Sequence, residues 1–207
     1  MQTGEIICPR RTAFRAEHKE LVAKASYSLI FVVIGLAAIR PLMVNHLLGR
    51  AEAYSALNLY DDAKRQCDKA LLLDNDSSQA WCKLARIYRF EGNREMAYGA
   101  YEKATQADAT DKPAHYELGM MYAQDDRFQE AIPYFDQVRK LGPDKPKHLG
   151  QGEFRYHKAS MEMLALCYEQ TDNAAKAEFT HEEIKVFYPD YGAADTQLAH
   201  LKQRQTQ

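Results

Sequence analysis

The sequence predicts an all-α repeat solenoid behind one N-terminal transmembrane helix, and three observations predict it. Tyr54, Tyr88 and Tyr122 lie 34 residues apart, as do Ala63, Ala97 and Ala131, and Ala51, Ala85 and Gly119. A fixed period of this length marks a repeat architecture, in which each unit is one supersecondary element. A run of 15 residues, Ala25 to Ile39, carries no charge. Finally, 46% hydrophobic residues with only 10 Gly and 7 Pro among 207 residues support a buried core rather than a disordered chain.

The best-formed unit reads Trp81, Leu84, Ala85 and Tyr88, then Ala97, Tyr101 and Ala104. The next reads Leu118, Gly119 and Tyr122, then Phe128, Ala131, Phe135 and Pro143. This pattern resembles the tetratricopeptide repeat (TPR) family. The resemblance implies helix hairpins that cannot bury their apolar sides alone and stack into a solenoid with a concave groove. The small residues let paired helices approach, and the tyrosine fills the gap towards the next hairpin. A degenerate first unit spans 44–77, with Arg50 where Leu is usual. A fourth returns as Met161, Leu164, Ala165 and Tyr168, then Ala177, Ile184 and Pro189. Tyr168 follows Tyr122 by 46 residues, so 12 extra residues separate units three and four.

In chain order, residues 1–24 form a basic tail with Arg10, Arg11, Arg15, Lys19 and Lys24, either loose or a short surface helix. Residues 25–44 follow as the transmembrane helix: 20 residues rise about 30 Å, the thickness of the hydrocarbon core. Arg40 lies about a turn from its end and can snorkel, and Pro41 kinks the helix or starts the next. A cleaved signal peptide, with Gly35 to Ala37 as the small-residue site, and an apolar helix docked on another protein are the alternatives. Five Lys/Arg precede the segment and only Arg40 and Arg50 closely follow it. The N-terminus is therefore expected on the cytoplasmic side and the repeats on the extracytoplasmic, in a bacterium periplasmic, side. The solenoid is expected over 45–192, directly after the span with no flexible linker. Asp144–Arg155 is an insertion in which Pro146, Gly150 and Gly152 discourage a helix, either a surface loop or a partner contact. Residues 193–207, with Leu198 and Leu201 at helical spacing, read as a capping helix and tail.

Charge and motifs bound the function. Residues 1–44 carry a net +3 and 45–207 a net −5, so the repeats offer no basic stripe for nucleic acid. No phosphate-binding glycine loop, zinc-protease helix or C-x-x-C occurs. His148 and His157 flank the insertion; the expectation is surface groups rather than metal ligands. Cys67 and Cys167 fall on apolar helix faces, and if the repeats lie in an oxidising compartment Cys67 with Cys82 is the one pair to consider for a disulfide; Cys8 has no lipobox. No nucleophile, base and oxyanion set is visible, so no enzyme and no cofactor are expected.

What remains is the groove that the TPR resemblance implies, lined by the first helix of each hairpin. The exposed positions map to Gln79, Cys82, Arg86, Arg89 and Phe90 in the second unit. They map to Tyr116, Met120, Ala123 and Gln124 in the third, and to Glu162, Leu166, Glu169 and Gln170 in the fourth. The two-carboxylate clamp of chaperone-binding TPR proteins is absent, since Leu48 and Glu52 stand where it needs Lys and Asn. The expected site is Gln79, Arg86, Arg89, Phe90, Tyr116, Met120 and Gln124, holding an acidic, partly apolar protein segment. Arg86 and Arg89, three apart on one helix face, are expected to grip one carboxylate cluster together. The function expected is a membrane-anchored scaffold or adaptor, with a structural subunit of a larger membrane complex as the alternative.

Overall fold

A computed structural model describes residues 38–143 and 156–205. The chain divides into two compact units, Met1–His46 and Leu47–Gln207. In the first, residues 38–46 are helical. The basic tail, residues 25–37 of the expected span, Cys8, His148 and the insertion Asp144–Arg155 lie outside the described residues. Among the described residues no helix is long and apolar enough to cross a membrane.

The second unit opens with helical residues 47–56, here α1. Eight helices follow: α2 Tyr60–Leu73, α3 Ser78–Phe90, α4 Arg94–Ala107, α5 Lys112–Gln124, α6 Phe128–Lys140, α7 Tyr156–Gln170, α8 Ala174–Phe187 and α9 Ala193–Gln205. Helices α3/α4, α5/α6 and α7/α8 pair as hairpins, α2 packs on α3, α9 packs on α8, and a tight turn joins α1 to α2. Local chemistry sets the starts. Ser77, Asn93 and Asp111 cap α3, α4 and α5, each side chain accepting from a backbone N–H in the first turn. Pro113 adds a pre-set φ at the start of α5.

The turn inside each hairpin is one motif used four times. Asn58, Gly92, Asp126 and Asp172 adopt positive φ of 58°, 81°, 56° and 54°. In each, the next residue's N–H reaches back to the carbonyl of the repeat tyrosine: Leu59 to Tyr54 (3.0 Å), Asn93 to Tyr88 (2.9 Å), Arg127 to Tyr122 (3.0 Å) and Asn173 to Tyr168 (2.8 Å). The left-handed residue itself bonds back to Ser55, Arg89, Ala123 and Glu169. This paired closure is a Schellman motif, which satisfies the last carbonyls of the first helix. Gly, Asn and Asp tolerate the conformation it demands.

The periodic small residues lie where the two helices of a hairpin meet. Ala51 is 1% exposed, and Ala63, Ala85, Ala97, Ala131, Ala165 and Ala177 are all fully buried. A Cβ on Gly119 would stand 2.9 Å from Cε1 and Cζ of Phe135, so this crossing has room only for hydrogen. Tyr101 and Phe135, equivalent positions 34 apart, are the largest wholly buried side chains. The tyrosine at the end of each first helix was expected to face the next hairpin. Tyr122 instead packs on Tyr98 of the preceding hairpin, centroids 4.9 Å apart, and stacks on Tyr134 of its own at 5.5 Å. The cause is the stacking order, because each first helix leans on the second helix of the hairpin before it.

The insertion does not interrupt the stack, since α7 packs on α6 as α5 does on α4. Two contacts hold that joint. Arg139 forks onto both carboxylate oxygens of Glu183 (3.1 and 3.0 Å) and onto Asp136. His157 is wholly buried, not the surface group expected of it: Nε2 lies 3.3 Å from the Arg139 carbonyl and Nδ1 2.8 Å from the Tyr188 hydroxyl. A carbonyl only accepts, so Nε2 carries the proton and Nδ1 accepts from Tyr188. Cys67, Cys82 and Cys167 are free thiols. Burial pushes Cys67 up to about 12 and Cys167 to about 11, and Cys82 upward as well, so all three stay protonated and unreactive at neutral pH.

Candidate partner-binding groove

Because α3, α5 and α7 lie side by side, their outward positions share one face. A groove of about 890 Å³ runs along it. Gln79, Cys82 and Arg86 come from α3, Pro113 and Glu117 from α5, and Tyr156 from α7; Tyr101 of α4 lies in its floor. The turns between hairpins supply an acidic rim of Asp76, Asp108 and Asp111. A second groove of about 340 Å³ adjoins it, between Glu52 and Ala56 of α1 and Arg86 and Phe90 of α3. Arg86 lines both.

The charges differ in how far they are already used. Lys83 binds Glu52 (2.9 Å), which holds that carboxyl below its usual range with Arg86 adding to the effect. Lys112 donates to the Gly142 carbonyl (2.7 Å). Asp111 caps α5 and accepts from the Ser78 hydroxyl. Asp108 accepts from the hydroxyl and N–H of Thr110, which lower its pKa. Arg86 is exposed and forms no hydrogen bond or ion pair with another described residue.

The seven residues expected at the site separate under this geometry. Gln79 and Arg86 line the larger groove; Arg86 and Phe90, which is 54% exposed, line the smaller. Arg89 is half-buried and paired with Glu117 at 2.7 Å, with its guanidinium 5.8 Å from the Phe90 ring. The expected two-arginine grip is thereby reduced to one free cation, because a partner 28 residues away already neutralises Arg89. Tyr116 packs edge-on against Phe135 (6.0 Å) and Tyr156 (5.6 Å), and Met120 packs against the core; both support the groove wall. Gln124 is exposed in the last turn of α5 and lines neither groove. Leu166 and Glu169 instead line a separate pocket of about 330 Å³ with His181. Among the described residues no three His, Cys, Asp or Glu gather as a metal site.

Tyr101 was read from sequence as core only. It is wholly buried, but its hydroxyl has no hydrogen-bond partner among the described residues. Desolvation pushes its pKa up strongly, with Glu117 raising it further and Arg89 and Arg86 opposing. A signal was present: the same position one period later is Phe135, so the hydroxyl serves no packing need of the repeat.

Residues 78–111 and 113–145 each match a tetratricopeptide repeat family. The chain carries TPR repeats. These matches are the hairpins α3/α4 and α5/α6. Over 103 residues, 49% of its length, the chain is 31% identical to RNA polymerase-associated protein CTR9 of Caenorhabditis elegans, and it spans 9% of that protein. The fold is similar to PilF of Pseudomonas aeruginosa, with a TM-score of 0.61, 20% identity, and 81% of this chain and 71% of that one covered. It is also similar to YrrB, a TPR protein with an unusual peptide-binding site (0.58, 18%, 77% and 76%). A further neighbour is PilW, a type IV pilus biogenesis factor (0.55, 18%, 77% and 69%). At these identities the solved structures share the TPR fold and nothing narrower.

Proposed function

We propose that this chain is a membrane-anchored TPR scaffold that holds a segment of a partner protein in the groove along α3, α5 and α7. The observation that carries the reading is a groove whose exposed cation, Arg86, has no partner among the described residues, beside an apolar flank that includes the half-exposed Phe90. Interface anchors are enriched in arginine and aromatics. The apolar run through residues 25–44 supplies the anchor, and the excess of Lys/Arg before it places the N-terminus in the cytoplasm and the repeats outside it. Likeness of fold to PilF and PilW carries no pilus role to this chain.

A second reading, as a permanent subunit of a larger membrane complex, has its own support. Phe179 and Val186, seven apart on α8, are 57% and 78% exposed and would suit lasting burial. The test is carbonate extraction of membranes, then affinity purification of the full chain with mass spectrometry of what co-elutes. Retention in the membrane and a partner lost from Arg86→Ala and Phe90→Ser variants are expected. A chain released by carbonate removes the anchor. A partner undiminished in both variants removes the groove.

A further inference from the structure

Resting on the groove reading above, we infer that the bound segment is not acidic overall: it presents one carboxylate to Arg86 and Tyr101 and cationic side chains to the rim beside them. Lys83 is ion-paired with Glu52 and Glu117 with Arg89, and Lys112 is engaged by the Gly142 carbonyl. Asp108 and Asp111 accept only from neutral groups, Thr110, Ser78 and the first turn of α5, so both keep their charge. Beside Arg86 the rim therefore carries the charges of Asp76, Asp108 and Asp111. A run of several carboxylates would satisfy Arg86 and be repelled by this rim. A single carboxylate flanked by Lys or Arg satisfies both.

The second, independent observation is the Tyr101 hydroxyl in the floor, buried and without a partner among the described residues. A buried hydroxyl without a partner is uncommon, and such a group is a donor waiting for an acceptor. Arg86, Tyr101, Cys82 and Tyr156 line the same groove. Guanidinium and phenol together suit a carboxylate, whose two oxygens accept one hydrogen bond from each. That carboxylate has two sources, an Asp or Glu side chain or a free C-terminus.

The test is selection from two random 12-residue peptide libraries against the full chain in detergent, one ending in a free carboxylate and one fused at both ends. Expected is a selected pool with one carboxylate per peptide and net charge of zero or above. Enrichment from the free-ended library alone assigns the carboxylate to a C-terminus, and enrichment from both assigns it to a side chain. For the tightest peptide, Arg86→Ala and Tyr101→Phe should each weaken binding about tenfold, since charge-assisted hydrogen bonds are the strong ones. Asp76→Asn with Asp108→Asn should weaken the preference for Lys and Arg. A pool rich in multiple carboxylates, or affinity unchanged in Tyr101→Phe, overturns the inference while the groove stands. No enrichment from either library, or a pool that binds Arg86→Ala and Phe90→Ser proteins equally well, overturns the groove reading itself.

Discussion

Two helical glycines give a matched pair that isolates the cost of crowding at a repeat crossing. Gly119 lies in α5 and Gly99 in α4, both away from the helix ends. Replacing either by Ala gains about 1 kcal/mol of helix propensity. At Gly99 nothing lies within 4 Å of the new methyl, so Gly99→Ala should stabilise by about 0.5–1 kcal/mol. At Gly119 the methyl meets Cε1 and Cζ of Phe135 at 2.9 Å and Cδ1 at 3.1 Å. That ring is wholly buried and edge-packed on Tyr116, so it cannot swing into solvent. Overpacking of this kind costs about 1–3 kcal/mol, which opposes and outweighs the propensity gain. Because propensity is common to both variants, their difference reads the clash directly: about 1–3 kcal/mol, or several degrees in Tm at about 2–4 °C per kcal/mol. Urea unfolding followed by circular dichroism on both variants measures it. If Gly119→Ala stabilises as much as Gly99→Ala, the close approach of α5 and α6 at this position is refuted.

The Tyr101 hydroxyl should work against the stability of the free protein, since a buried donor without a partner costs about 1–3 kcal/mol. Tyr101→Phe should therefore raise the urea midpoint of the unliganded chain, and a midpoint lowered by 1 M or more would show that the hydroxyl is already satisfied. His115 should contribute a pH dependence. Desolvation holds its pKa below the usual histidine value, against a bond from Nε2 to the Ala109 carbonyl (3.2 Å) that raises it. With a folded pKa below the unfolded value of about 6.5, the unfolded chain binds more protons, so this contribution is complete above pH about 6.5 and is lost as pH falls below it. His115→Gln keeps a donor for Ala109 and should flatten the loss of stability between pH 7.5 and 5.5; an unchanged slope would place the titrating group elsewhere.

The TPR hairpins in this chain were legible because their cause is local and periodic. Small residues at Ala85, Ala97, Gly119 and Ala131 are demanded by helix crossings that recur every repeat, so the same physical need writes the same residue type 34 positions on. The turns were equally decided by the chain itself: Asn58, Gly92, Asp126 and Asp172 are the residue types that tolerate the left-handed closure of each first helix. The candidate groove was legible only in part. Gln79 and Arg86, which the TPR resemblance implied for the groove, line it.

What spacing could not decide is which charges remain free, because ion pairs here join residues far apart in sequence. Arg89 is spent on Glu117 across two hairpins, Lys83 on Glu52, and Arg139 on Glu183 beyond the insertion. His157 likewise became a buried joint because Tyr188 and the Arg139 carbonyl close over it. Helix formation and crossing size depend on neighbours a few residues or one period away, and sequence alone determined them. The accounting of charge and of the Tyr101 hydroxyl depends on which helices stack, and only the tertiary structure decided it.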